Sequence, residues 1–150
     1  MPTPKSPGTY SVTSRADIGE QKTALIVEDH SLLRKVMREF LQTAFPDCSF
    51  REAADGAGAL EACNAYRPQL VLMDICLSDA NGIELTARLG TLYPGTQIIV
   101  VSHMSGEDYV QHALAAGARA YVCKDHIVTD LVPAVAAAIG IPPATVTGAC

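Results

Sequence analysis

From Thr23 onward, short apolar runs alternate with segments of helical period. Ala24 to Val27, Leu70 to Met73 and Gln97 to Val101 have the length and apolar content of strands, and the last two fit strands buried on both faces. A weaker, alternating stretch over Cys48 to Ala53 and a run from Arg119 to Cys123 supply two more. Between the strands, His30 to Phe45 places Leu32, Leu33, Val36, Met37, Phe40 and Leu41 on one face of an amphipathic helix that Pro46 closes. Asp55 to Tyr66 predicts a second helix, N-capped by Asp55 and followed by Pro68. Beyond the loop Ile75 to Asn81, helices are predicted over about Gly82 to Leu92, Glu107 to Ala116 and Thr129 to Ile139, with Gly117 just past the fourth helix as its terminating glycine. Five β-α units in succession predict an α/β fold. Parallel strands need crossovers, the crossovers are right-handed, and helices then cover both faces of the sheet.

The two ends of the chain lack this patterning. Residues 1 to about 22 carry Pro2, Pro4, Pro7 and Gly8 among Ser, Thr and Lys, which predicts a disordered leader. Residues 141 to 150, with Pro142-Pro143, read as a tail, leaving 23 to 140 as the folded domain. A chain of 150 residues with 49% hydrophobic and 18% charged content is globular in composition. Its net charge of −5 is a poor match to a nucleic-acid binder, which needs clustered cations to neutralise phosphates. No stretch reaches the length of a membrane span, and the N-terminus lacks the apolar core of a signal peptide, so a cytoplasmic location is expected. The five cysteines, at 48, 63, 76, 123 and 150, form no C-x-x-C pair and read as free thiols, Cys63 and Cys123 as small core residues.

The candidate chemistry lies at the ends of the apolar runs. The first runs into Glu28-Asp29, the second into Asp74, the third into Ser102 and the last into Lys124. In an open parallel sheet, ligands bind just beyond the carboxyl ends of the strands, so these side chains are expected to face one crevice. Each acid alone could equally be a helix N-cap or a solvated loop residue. Together, three carboxylates repel one another unless a cation joins them, and Mg²⁺ suits an all-oxygen set that must leave room for a phosphate. A phosphoryl group then finds Mg²⁺, the Lys124 ammonium and the Ser102 hydroxyl for its oxygens, with Asp74 as the nucleophile that forms an aspartyl phosphate. Neither a P-loop nor G-x-G-x-x-G is present, so the phosphoryl group is not expected to come from a cradled nucleotide.

From about Thr23 to Gly140 the chain resembles the receiver domain of two-component response regulators. The resemblance rests on Val27-Glu28-Asp29, Val71-Leu72-Met73-Asp74, Asn81-Gly82-Ile83-Glu84-Leu85, Val101-Ser102 and Gly117-Ala118-Arg119-Ala120-Tyr121-Val122-Cys123-Lys124-Asp125, in that order. The last stretch is similar to receivers that carry a helix-turn-helix output domain. The resemblance implies a flavodoxin-like (CheY-like) doubly wound sheet of five parallel strands in the order 2-1-3-4-5. It implies that Asp74 takes a phosphoryl group from a histidine kinase or histidine phosphotransfer protein. Mg²⁺ would be held by Glu28, Asp29, Asp74 and the backbone carbonyl of Cys76. Ser102 and Tyr121 match the family's switch pair, which acts on the surface of the fourth helix, fifth strand and fifth helix and allows a homodimer on phosphorylation. Tyr121 as a plain packing aromatic stays open beside that reading.

Three departures qualify the match. Ser78 stands where receivers often have proline, which predicts a looser loop after Asp74. Cys76 and Met104 occupy positions that tune dephosphorylation and offer no carboxylate or amide to position a water, which implies a long-lived phosphoryl group. His30 and His103 flank the site and could suggest zinc, but each can simply face solvent. A phosphatase with an aspartyl nucleophile is disfavoured because Asp74-Ile75-Cys76 replaces Asp-x-Asp, and a flavin-binding flavodoxin because the first loop is acidic. A receiver-shaped interaction module that never turns over phosphate is the remaining alternative.

Overall fold

A computed structural model describes residues 21–144. Strands β1 (Thr23–Val27), β2 (Ser49–Ala53), β3 (Leu70–Met73), β4 (Gln97–Ser102) and β5 (Ala120–Cys123) alternate with helices α1 (Ser31–Ala44), α2 (Gly56–Tyr66), α3 (Gly82–Leu92), α4 (Glu107–Ala115) and α5 (Ile127–Ile139). All strand pairs are parallel and the order is β2-β1-β3-β4-β5, as the resemblance implied.

Alternation along each central strand splits the core into two layers. Ala24, Ile26, Leu70, Leu72, Ile99 and Val101 face one side, where Met37 and Leu41 of α1 and Leu131 and Val135 of α5 cover them. Leu25, Val27, Val71, Met73 and Ile98 face the other, against Ala59 and Cys63 of α2 and Leu85 and Leu89 of α3. A smaller cluster of Ile75, Val100, Ala113 and Ala118 packs α4 beside β4. Both faces of β3 are therefore dry, which explains its uninterrupted apolar run.

Several expectations need correcting. On α1 only Met37 and Leu41 are buried; Leu32 and Val36 are 64% and 50% exposed. Residues four apart stack on one helix face, so Leu33, Met37 and Leu41 meet the sheet while Leu32 and Val36 lie about 100° further round. Helix α5 starts at Ile127, two residues earlier than expected, because a 3₁₀ turn over Lys124–His126 leads straight into it. Cys123 is only half-buried, whereas Cys48 and Cys63 are buried and burial pushes both thiols up to about 11. Of the expected leader, residues 1–20 lie outside the described residues, as do 145–150 of the tail. The tail's first residues are held: Ile141 packs on the α1/α5 layer and the Ala144 N–H donates to the Ala44 carbonyl at 2.7 Å. No helix among the described residues is long and apolar enough to cross a membrane.

Candidate functional site

The expected crevice is present at the carboxyl edge of the sheet. Glu28 and Asp29 follow β1, Asp74 follows β3, Ser102 ends β4 and Lys124 follows β5. They line one cleft of about 470 Å³ together with His30, Leu33, Cys76, His103 and Met104. The strand order brings them together, because β1 and β3 are central neighbours and their acidic ends are adjacent.

Charge in the cleft is only partly compensated. Glu28, Asp29 and Asp74 each offer an oxygen within 4.8 Å of the other two. Lys124 Nζ lies 2.7 Å from Glu28 Oε1 and 3.3 Å from Asp74 Oδ2, and all three side chains are nearly inaccessible. Burial, then the Glu28 carboxylate, raise the Asp74 pKa above its ordinary value, against the opposing Lys124 ammonium and the Cys76 N–H. One ammonium among three carboxylates leaves an excess of negative charge, and three hard oxygen donors suit a small divalent cation. The donor set thus fits the Mg²⁺ expected from the sequence.

The surrounding structure holds Glu28 in place. The Glu28 N–H donates to the Ala53 carbonyl, and its Oε2 accepts from the His30 N–H at 3.1 Å. His30 in turn caps α1 through Nδ1, which accepts from the Leu33 N–H. His30, His103 and Cys76 are all exposed, and the one metal-ligand cluster found among the described residues is the acidic one, so the zinc reading gains nothing. Ser102 is buried and its Oγ accepts from the Met104 N–H at 3.2 Å. The Tyr121 hydroxyl donates to the carbonyl of the same Met104, and its ring packs beside the Val100–Ala113–Ala118 cluster. Burial raises the Tyr121 pKa, so the phenol keeps its proton.

Two residues that the sequence did not single out by contact hold the loop after Asp74. A Cβ on Gly82 would stand 1.9 Å from the Asp74 carbonyl oxygen, so only glycine lets α3 approach this closely. Asp79 accepts from the Gly56 and Ala57 N–H groups at 2.7 and 3.1 Å, which binds the loop to the start of α2 and lowers the Asp79 pKa. With the Cys76–Asn81 bridge, these contacts tie down the loop that Ser78 was expected to loosen.

The chain matches the family model "Response regulator receiver domain" over residues 24–136. It is 33% identical to the transcriptional regulatory protein DegU of Brevibacillus brevis over 119 residues, 79% of this chain and 50% of the relative. It is 34% identical to the chemotaxis protein CheY of Halobacterium salinarum over 103 residues, 69% of this chain and 84% of that protein. The crystal structure of a CheY-like receiver domain protein from Methanospirillum hungatei superposes with a TM-score of 0.74 at 27% identity, covering 81% of this chain and 95% of the other. The chain spans about half the length of the first curated relatives it matches. On its fold, its residue pattern and this match, the chain belongs to the response regulator receiver domains of two-component signalling.

Proposed function

We propose that this domain accepts a phosphoryl group on Asp74 from a partner histidine kinase or histidine phosphotransfer protein, and that the modification switches a surface for a partner or a second copy. The observation that carries the reading is the buried Lys124 ammonium bridging Glu28 and Asp74, with Asp29 within reach of both acids. An Asp74 oxygen attacks phosphorus, the new O–P bond forms as the N–P bond to the donor imidazole breaks, and the imidazole nitrogen keeps the electron pair. Glu28, Asp29 and Asp74, with the Cys76 carbonyl, would hold Mg²⁺, which neutralises charge on the transferring group. Lys124 leaves its carboxylate partners to meet a phosphoryl oxygen, and the Ser102 hydroxyl donates to another.

Moving Ser102 releases the Met104 N–H, while Tyr121 holds the Met104 carbonyl. The charge change at Asp74 is thereby passed to the β4–α4 loop and to the face formed by α4, β5 and α5. Cys76 and Met104 line the cleft without a carboxylate or amide, which supports slow self-catalysed loss of the phosphoryl group. Intact mass after incubation with Mg²⁺ and a small-molecule phosphodonor tests the reading. The parent should gain one phosphoryl group and Asp74→Asn none; no adduct on a parent that binds Mg²⁺ would favour an interaction module that does not turn over phosphate.

A further inference from the structure

Glu28 contributes a carbonyl as well as a carboxylate, and the carbonyl has a partner that the mechanism above does not use. Arg34, one turn into α1, donates from Nη1 to the Glu28 carbonyl oxygen at 2.6 Å. Its Nε donates to Glu52 Oε1 on β2 at 2.8 Å, and its side chain is only 17% exposed. Glu52 is held in turn by Arg38 Nη1 at 3.5 Å. The carbonyl belongs to the peptide that joins Glu28 to Asp29, so the plane of that peptide sets where both acids point. A planar guanidinium with two donors in fixed relation is suited to locking such a plane, because one contact orients the other.

We infer that Arg34 is a positioning residue for the acidic pair. By fixing the Glu28–Asp29 peptide against Glu52, it sets the geometry in which both carboxylates receive a divalent cation. The inference rests on the metal-assisted phosphoryl transfer proposed above, and its sign separates it from simpler roles. As a charge alone, a guanidinium beside a cation site opposes the cation, and its removal should tighten Mg²⁺ binding. As a purely structural strut, its removal should lower the melting temperature and leave the affinity of the folded protein unchanged. A positioning role predicts that its removal weakens Mg²⁺ binding despite the lost repulsion. Partners that orient metal ligands from behind commonly change affinity by about tenfold or more.

The test is calorimetric titration of the full chain with Mg²⁺ alone for the parent, Arg34→Gln, Arg34→Lys and Arg38→Gln, with melting recorded in chelator. The Glu28 carbonyl ¹³C and Asp29 amide ¹⁵N shifts are read in the metal-free state. Arg34→Gln should weaken Mg²⁺ about tenfold and move both shifts, whereas Arg38→Gln, which leaves the Glu28 contact intact, should stay within about twofold. Should Arg34→Gln not fold, Arg34→Lys decides: it keeps the charge but not the paired donors, and it should still weaken Mg²⁺ and move the shifts. Tighter or unchanged binding in the folded Arg34 variants, or unmoved shifts, would overturn the positioning role while leaving the phosphoryl-acceptor reading intact. A parent that does not bind Mg²⁺ would overturn both.

Discussion

The two ends of the sheet are built from similar backbone and opposite chemistry. At the amino end, polar side chains settle backbone groups. Gln97 donates to the Ala138 carbonyl, Arg119 to the Ala137 carbonyl, Thr96 to the Pro68 carbonyl, and Gln69 accepts from the Thr23 N–H. At the carboxyl end, three carboxylates cluster and one ammonium pairs with two of them, Glu28 and Asp74, which are both buried. The amino end uses its polar side chains to pair backbone groups. The carboxyl end holds charge that a folded protein would ordinarily avoid, and such an imbalance is the physical mark of a candidate functional site.

Glycine substitutions should break this comparison most visibly. Gly82→Ala drives a methyl group into the Asp74 backbone and is expected to cost about 3 kcal/mol and abolish phosphoryl uptake, read by denaturant melts and intact mass. Gly95→Ala at the amino end meets nothing within 4 Å and should stay within about 0.5 kcal/mol of the parent with uptake unchanged. Equal effects at the two ends would show that the Asp74 loop is not specially constrained.

Removing the cations should give the next contrast. Lys124→Met strands two buried carboxylates and is expected to destabilise the metal-free protein by about 3 kcal/mol, with phosphoryl uptake lost. Arg119→Ala removes exposed contacts to Gln97 and Ala137 and should cost less than about 1 kcal/mol, with uptake kept. Chelator melts of both variants provide the measurement.

Metal and pH sharpen the same contrast on a smaller scale. At a free concentration 100 times its dissociation constant, Mg²⁺ should stabilise the parent by about 2.7 kcal/mol, and chelator should remove that gain. Asp74→Asn should forfeit most of it, yet be about 1 kcal/mol more stable than the parent in chelator at neutral pH, because it no longer buries a charge. The folded Asp74 pKa is raised, so its contribution to stability is fully present below the ordinary value of 3.8 and is lost as pH rises through the folded value. The advantage of Asp74→Asn should therefore shrink as pH falls through that window. An advantage independent of pH would mean that burial does not strain the carboxylate.

Much of this was legible in the sequence, for identifiable reasons. Strands buried on both faces must be unbroken apolar runs, so Leu70–Met73 and Ile98–Val101 stood out, and the polar residues that end them could be placed at one edge. Asp55 was legible as an N-cap because its acceptor role spans only three residues, to the Gly58 N–H. Asp79 and Arg34 were not, because their partners at Gly56 and Glu52 become neighbours only once the sheet has formed. Gly82 could be matched to a pattern, but its close approach to the Asp74 carbonyl is a tertiary fact. The outward placement of Leu32 and Val36 escaped because periodicity gives the width of an apolar stripe and not which edge meets the sheet.

The most direct test is to locate the acquired phosphoryl group. Borohydride reduction of the phosphorylated parent converts an aspartyl phosphate to homoserine, and peptide mass mapping then identifies the residue. The account predicts homoserine at position 74 alone, dependent on Mg²⁺ and absent from Lys124→Met. Reduction at Glu28 or Asp29, or no reduced residue in a parent that has gained phosphoryl mass, would contradict it.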